Sequence, residues 1–196
     1  MQEATPPPYV AARTETGPLH WTLARYHKAI EAGVLTENDR VECIGGQLIE
    51  RMPIGKRHAD TVDRVNEYFV YEIGKTYLYR VQNPISLLDH SEPEPDYAII
   101  DKASYAQREG HPTGADVKLV IEVSDATLDY DRTVKLKLYA AAGIPEYWII
   151  NLRDDLLEVH TQPDERSGTY LQRTAVRGES VVTSALCGEV RAEMFM

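Results

Sequence analysis

The sequence predicts an α/β protein built on a mixed sheet flanked by helices. Three observations carry this expectation. The runs VKLVIEVS (117–124) and PEYWIINL (145–152) are almost continuously apolar, as strands covered on both faces are. Residues 57–75 and 130–143 repeat their apolar positions with the period of an amphipathic helix. The second of these helices stands between the two apolar runs, where a crossover connection belongs.

The elements follow in chain order. Residues 1–18 are rich in Pro, Thr and Glu and read as a flexible arm, which leaves 19–196 as one domain. A helix begins at Trp21 or Thr22, carries Leu23, Tyr26, His27 and Ile30 on one stripe, and stops at Gly33. VECIGGQLIERM (41–52) is two short strands around Gly45-Gly46, a strong hairpin signal. In the helix 57–75, Val62, Val65, Phe69 and Ile73 share a side. TYLYRVQ (76–82) and ISLLD (85–89) read as strands split by Asn83-Pro84, and PDYAII (95–100) as a strand opened by proline. A short helix is expected over 101–109. The helix 130–143 ends at Gly143, DDLLEVHTQ (154–162) is the hairpin partner of 145–152, and GTYLQRTAV (168–176) is an edge strand. No internal repeat and no linker divides the chain.

Composition narrows the function. Of 196 residues, 43% are apolar, enough for a real core, and no stretch reaches the ~18 apolar residues of a membrane span. The N-terminus has no apolar signal region, and two cysteines, Cys43 and Cys187, are too few for a disulfide framework or a four-ligand zinc site. A reducing, cytoplasmic setting is expected. The net charge of −10 argues against a broad grip on a phosphate backbone, yet leaves room for one local site. There is no GxxxxGK[ST] loop and no GxGxxG, and Ser124 and Ser180 lack the strand-turn-helix elbow of a serine hydrolase.

Two acids sit where acids are costly. Glu122 interrupts an apolar strand, where a carboxylate must be protonated, paired or bound to metal. Asp96 opens the strand PDYAII after the acidic loop SEPEP. Placed side by side, the two would make an oxygen-rich pair suited to Mg²⁺ or Mn²⁺. The plainer reading is a salt-bridged Glu122 and a turn-capping Asp96.

The helix that follows adds a third group. At about 100° per residue from Val134, Leu138 lies near ~40°, Ala142 near ~80° and Tyr139 near ~140°, while Lys135 falls at ~100°, Asp131 at ~60° and Lys137 at ~300°. Lys135 is therefore expected to point inward and Lys137 to be solvated. An inward lysine needs an anion, with Asp131, Glu122 or a phosphate as candidates; a simple Asp131–Lys135 pair one turn apart is the alternative. His58, at the start of the second helix, is a further candidate to face the site, against a plain helix-start polar residue. The other histidines show no paired metal spacing, and Arg51, Lys56 and Arg57 form a small basic group, either solvated or phosphate-facing.

The stretch EPDYAII…VKLVIEVSDATLDYDRTVKLKLYAAAGIPEYWIINL resembles the Uma-type family of restriction-endonuclease-like proteins, in the PD-(D/E)XK nuclease superfamily. The resemblance runs from about Trp21 to about Thr161 and includes the hairpin VECIGGQLIERMP and the histidine of Arg57-His58. It implies a restriction-endonuclease-like core. It also implies that Asp96 is the metal-binding aspartate and Glu122 the acid of the (D/E)XK element. Ser124 stands where the parent motif has its lysine, and Lys135 matches the lysine that this family carries on the following helix. Glu42 resembles the extra acid near the first conserved element. Gln47 stands where many relatives carry an acid.

The chemistry so implied is metal-assisted phosphodiester hydrolysis of DNA. Mg²⁺ or Mn²⁺ would sit on Asp96, Glu122 and the Val123 carbonyl, with Lys135 and Glu42 as catalytic partners and His58, Gln47 and Asp131 as accessory groups. Two other readings share the fold: a catalytically silent module for protein or nucleic-acid interaction, and a hydrolase of small phosphoesters. A homodimer is expected on the general ground that long edge strands need cover.

Overall fold

The computed structural model describes residues 18–196. The arm expected over 1–18 lies outside the described residues except for Pro18, which is exposed.

Helix α1 (Leu23–Glu31) is capped by Thr22, whose hydroxyl accepts the Arg25 N–H, and is followed by Gly33 at φ 68°. It buries Tyr26 and Ala29, while Ile30, expected on the inner stripe, is 46% exposed. The reason is that α1 docks through Tyr26, whose hydroxyl donates to the Val41 carbonyl, so the buried face is centred beside the predicted one. The hairpin β1 (Val41–Ile44) and β2 (Gln47–Glu50) turns on Gly45 and Gly46 at φ 57° and 75°. This left-handed pair favours glycine, and a Cβ on Gly46 would press on the Trp21 carbonyl at 3.0 Å.

Helix α2 (Lys56–Ile73) buries Thr61, Val62, Val65 and Phe69. Strands β3 (Tyr77–Val81) and β4 (Tyr97–Asp101) follow. The segment 85–89, expected to be a strand, makes only the isolated bridges Ser86–Thr113 and Leu87–Ser91, and Leu88 has φ 56°. Its alternation reflects the burial of Ile85 and Leu87, not ladder pairing. The helix expected over 101–109 is the single turn α3 (Lys102–Tyr105), capped by the Asp101 carboxylate.

Strand β5 (Val117–Ser124) leads into a helix, α4, of three parts: Leu128–Tyr130 is α-helical, Asp131–Lys135 is a π-turn, and Leu136–Ala141 is α-helical again. The chain continues through β6 (Glu146–Asn151), β7 (Leu156–Asp164), β8 (Thr169–Val176), β9 (Val181–Ser184) and β10 (Gly188–Arg191).

The main sheet has six strands in the order β3-β4-β5-β6-β7-β8. Only β5 and β6 run parallel, joined by the α4 crossover; the other pairs are antiparallel. The sheet is therefore mixed, as the sequence predicts. One face packs Phe69, Trp148, Ile121 and Phe195 with α2 and the C-terminal hairpin. The other packs Leu138, Tyr139, Val120, Tyr147 and Ile149 under α4 and the first hairpin. Burying each large side chain contributes on the order of 2–3 kcal/mol. Among the described residues no helix is long and apolar enough to cross a membrane.

Candidate active site

The antiparallel register of β4 and β5 sets Tyr97 opposite Ile121. Continued by one residue, it brings Asp96 opposite Glu122, and the Asp96 N–H donates to Glu122 Oε2 at 3.3 Å. Glu122 alternates with Ile121 and Val123, so it faces α4 and not the apolar α2 side. The other Glu122 oxygen accepts from Lys135 Nζ at 3.0 Å and from the Tyr139 hydroxyl at 2.6 Å. Lys135 Nζ also lies 3.6 Å from Glu42 Oε1, and Glu42 accepts the Glu94 N–H at 3.0 Å. Strands β1 and β5, far apart in sequence, thus converge on the one ammonium that α4 supplies.

The π-turn sets this convergence. Its wider turn is closed by the Leu136 N–H on the Asp131 carbonyl, five residues back. Lys135 is 8% exposed and Lys137 is exposed, as the helical phase predicts. Val134, expected inside, is 42% exposed, because the π-turn breaks the uniform phase between it and Leu138. The alternative reading, a simple Asp131–Lys135 pair one turn apart, is not the one formed: Lys135 pairs with Glu122. Asp131 instead accepts the hydroxyls of Ser124 and Thr127, both at 2.7 Å.

Asp96 is held from the opposite side. Its Oδ2 accepts the Val123 N–H at 2.9 Å and lies 2.9 Å from His58 Nε2, and Gln82 reaches Oδ1 at 3.4 Å. His58 thus faces the site from the first turn of α2. Val123 contributes its N–H to Asp96. Gln47 does not join the group: it is exposed at the start of β2, opposite Ile44 and away from the cleft. Tyr139, Glu94 and Gln82 are not among the site residues that the sequence singles out. Tyr139 follows Lys135 by four residues, the spacing that puts both on one helical face.

These groups floor a cleft of about 550 Å³. Its walls are the segment 51–57 and the β5–α4 loop around Asp125, Ala126 and Thr127. Burial strongly disfavours charge on Glu122; Lys135 opposes this, Asp96 and Asp131 add to it, and the carboxyl is pushed up to about 8. Burial lowers the Lys135 amine, but Glu122, Glu42 and Asp131 outweigh it, so the ammonium holds its proton well beyond the ordinary range. The two shifts pull the pair in opposite directions, since only one favours the ion pair. The contacts decide for the ion pair: Lys135, Tyr139 and the Asp96 N–H all donate to the Glu122 carboxylate. Asp96 is lowered: burial raises it, and the His58 contact, the Val123 N–H and Lys135 together outweigh burial.

The donor set fits a hard divalent cation. Asp96, Glu122, Glu42, Glu94 and Asp131 all line the cleft, beside Lys135, His58 and a rim of Arg40, Arg51, Lys56 and Arg57. Burial, with Asp96 and Asp131 beside it, is what keeps Glu122 high next to a lysine. Among the described residues no three His, Cys, Asp or Glu side chains form a metal-holding group. An ion here would therefore rest on two carboxylates, completed by backbone oxygen and water, as Mg²⁺ and Mn²⁺ accept.

Comparison with known proteins agrees with this architecture. The Uma2 family, described as "Putative restriction endonuclease", matches residues 23–192. A solved structure from Anabaena variabilis, described as a "putative nuclease belonging to DUF820", is similar with a TM-score of 0.65 at 15% identity, over 89% of this chain and 97% of that one. At that identity the likeness concerns the fold. No curated protein matches the chain.

Proposed function

The chain belongs to the Uma2 family, and on that premise we propose that it is a Mg²⁺- or Mn²⁺-dependent endonuclease that hydrolyses phosphodiester bonds of DNA. The observation that carries this reading is the buried Lys135, which bridges Glu122 and Glu42 beside Asp96 at the floor of an open cleft. A merely structural ion pair does not require two further acids, nor a site that opens to solvent.

Asp96 and Glu122 would hold the ion, with the Val123 carbonyl as a third oxygen. A bound divalent cation supplies positive charge that polarises a phosphoryl oxygen and acidifies water. The remaining roles belong to the protein. Lys135, kept protonated by its carboxylates, offsets negative charge that develops on the phosphate. Tyr139 and the Asp96 N–H fix the Glu122 carboxylate, and His58 and the Val123 N–H fix Asp96. Glu42 holds Lys135 towards the cleft from the hairpin side. Cys43 and Cys187 are free thiols, which supports the reducing, cytoplasmic setting we propose.

The test is cleavage of plasmid, single-stranded DNA and RNA with EDTA, Mg²⁺ or Mn²⁺. DNA cleavage that requires the metal and disappears in Asp96→Asn supports the reading. No cleavage of any substrate, or cleavage unchanged in that variant, overturns it.

A further inference from the structure

Among the described residues, the segment between β2 and α2 carries the one run of consecutive exposed apolar residues that lines the cleft. Met52 is 60% exposed and Ile54 is 48% exposed, with Pro53 exposed between them. All three line the cleft, in a stretch with no regular secondary structure. Leu19, Ile30, Leu171 and Met194 are exposed singly, and the adjacent Val70 and Tyr71 lie on α2 outside the cleft lining.

The neighbours of this run are charged. Lys56 follows after Gly55, and its partner among the described residues is Asp60 in an exposed i,i+4 contact, a weak pair that another anion can displace. Arg51 is committed to Glu94, and Arg57 to Asp155 and the Leu152 carbonyl. Among the described residues the cleft mouth therefore offers the exposed cations Arg40 and Lys56 and three apolar side chains. With a net charge of −10, the protein cannot rely on many phosphate contacts for affinity. Apolar contact with bases must supply part of it, and bases are open to such contact only where they are unstacked. Met, Ile and Pro are among the residues that proteins insert between base steps.

We propose that Met52-Pro53-Ile54 is a wedge that packs against unstacked bases beside the scissile phosphate. The preferred substrate is then DNA with unpaired or readily unstacked bases, and not regular duplex. This inference rests on the nuclease reading above and names its substrate class.

The test uses the full chain with three labelled DNAs: a perfect duplex, a duplex with a central unpaired bubble, and a single strand. Binding is measured by fluorescence anisotropy in EDTA and in Ca²⁺, and cleavage in Mg²⁺ and Mn²⁺. The expected preference for bubble or single strand over duplex is about tenfold or more. Met52→Ser/Ile54→Ser should erase most of that preference and leave the salt dependence unchanged. Lys56→Gln should weaken all three DNAs alike and reduce the salt slope by about one unit. These side chains are exposed, so the melting temperature should hold. The wedge is overturned if duplex binds as well as the bubble, or if the double variant keeps its preference. It is also overturned if that variant changes oligomeric state and not DNA binding. Cleavage by the parent with an unaffected double variant defeats the wedge alone; absence of both binding and cleavage defeats the nuclease reading with it.

Discussion

Nζ of Lys135 lies 3.0 Å from Oε1 of Glu122, a buried contact between α4 and the strand before it. Lys137, two residues on, is exposed. The same short helix therefore provides its own control. Lys135→Ala should lower turnover at least ~10²-fold, the scale of losing a positioned electrostatic group. Lys137→Ala should change it little. A side-by-side cleavage assay checks both, and a dead Lys137→Ala or a fully active Lys135→Ala would refute the assignment.

Much of this cluster is legible in the sequence, and the failures have physical causes. Glu122 stands out because a carboxylate in an apolar strand is costly, and Lys135 because its helical phase turns it inward. Val134 was misplaced by the same calculation, since a π-turn cannot be seen in apolar spacing. The pairing of Asp96 with Glu122 depends on the β4–β5 register, which is a long-range property. Segment 85–89 imitates a strand because Ile85 and Leu87 are buried by a loop that crosses the core. Tyr139 escapes a sequence reading of the site because its ring packs in the core and only its hydroxyl reaches Glu122. Gln47, considered because relatives carry an acid there, sits on the outer edge of the hairpin.

His160 makes stability depend on pH. Its ring is buried between Tyr147 and Tyr170. Burial, with Arg173 and Arg132 nearby, outweighs the pull of Glu158 and lowers it to about 4. The unfolded chain then binds the proton first, at an ordinary pKa of about 6.5, so this contribution is complete above that pH. It is lost as pH falls from about 6.5 to about 4, by on the order of 3 kcal/mol, and is constant below. His160→Phe should lack that slope relative to the parent in urea unfolding at a series of pH values. Equal slopes would show that His160 is not held neutral.

Tyr97 is fully buried, and its hydroxyl has no partner among the described residues. Its ring stacks on Phe69 and Tyr79 at 5.8 Å and 6.2 Å. Tyr97→Phe keeps the ring and removes a desolvated donor. The fold should gain about 1 kcal/mol, or roughly 2–4 °C in Tm for a chain of this size. A lower Tm by calorimetry would mean that the hydroxyl has a partner in solution.

Acid should also act at the entry to β5, through Asp116. Its buried carboxylate accepts from Ser104, Thr113 and Arg108. Those bonds overcome its burial and hold it at about 2. The folded pKa lies below the ordinary ~3.9, so the stabilisation is present above pH ~4 and lost as pH falls towards about 2. Asp116→Asn should be less stable at neutral pH and should unfold with a shallower acid limb than the parent. An unchanged limb in acid titration followed by circular dichroism would refute this.

The claim that joins the cluster to a reaction is that Asp96 and Glu122 share one divalent cation. Calorimetric titration of Mn²⁺ into the parent, Asp96→Ala, Glu122→Ala and Lys135→Ala tests it most directly. The account predicts one site in the parent, its loss in both carboxylate variants, and its retention in Lys135→Ala, because lysine is not a ligand. Unchanged Mn²⁺ affinity in both carboxylate variants would contradict it.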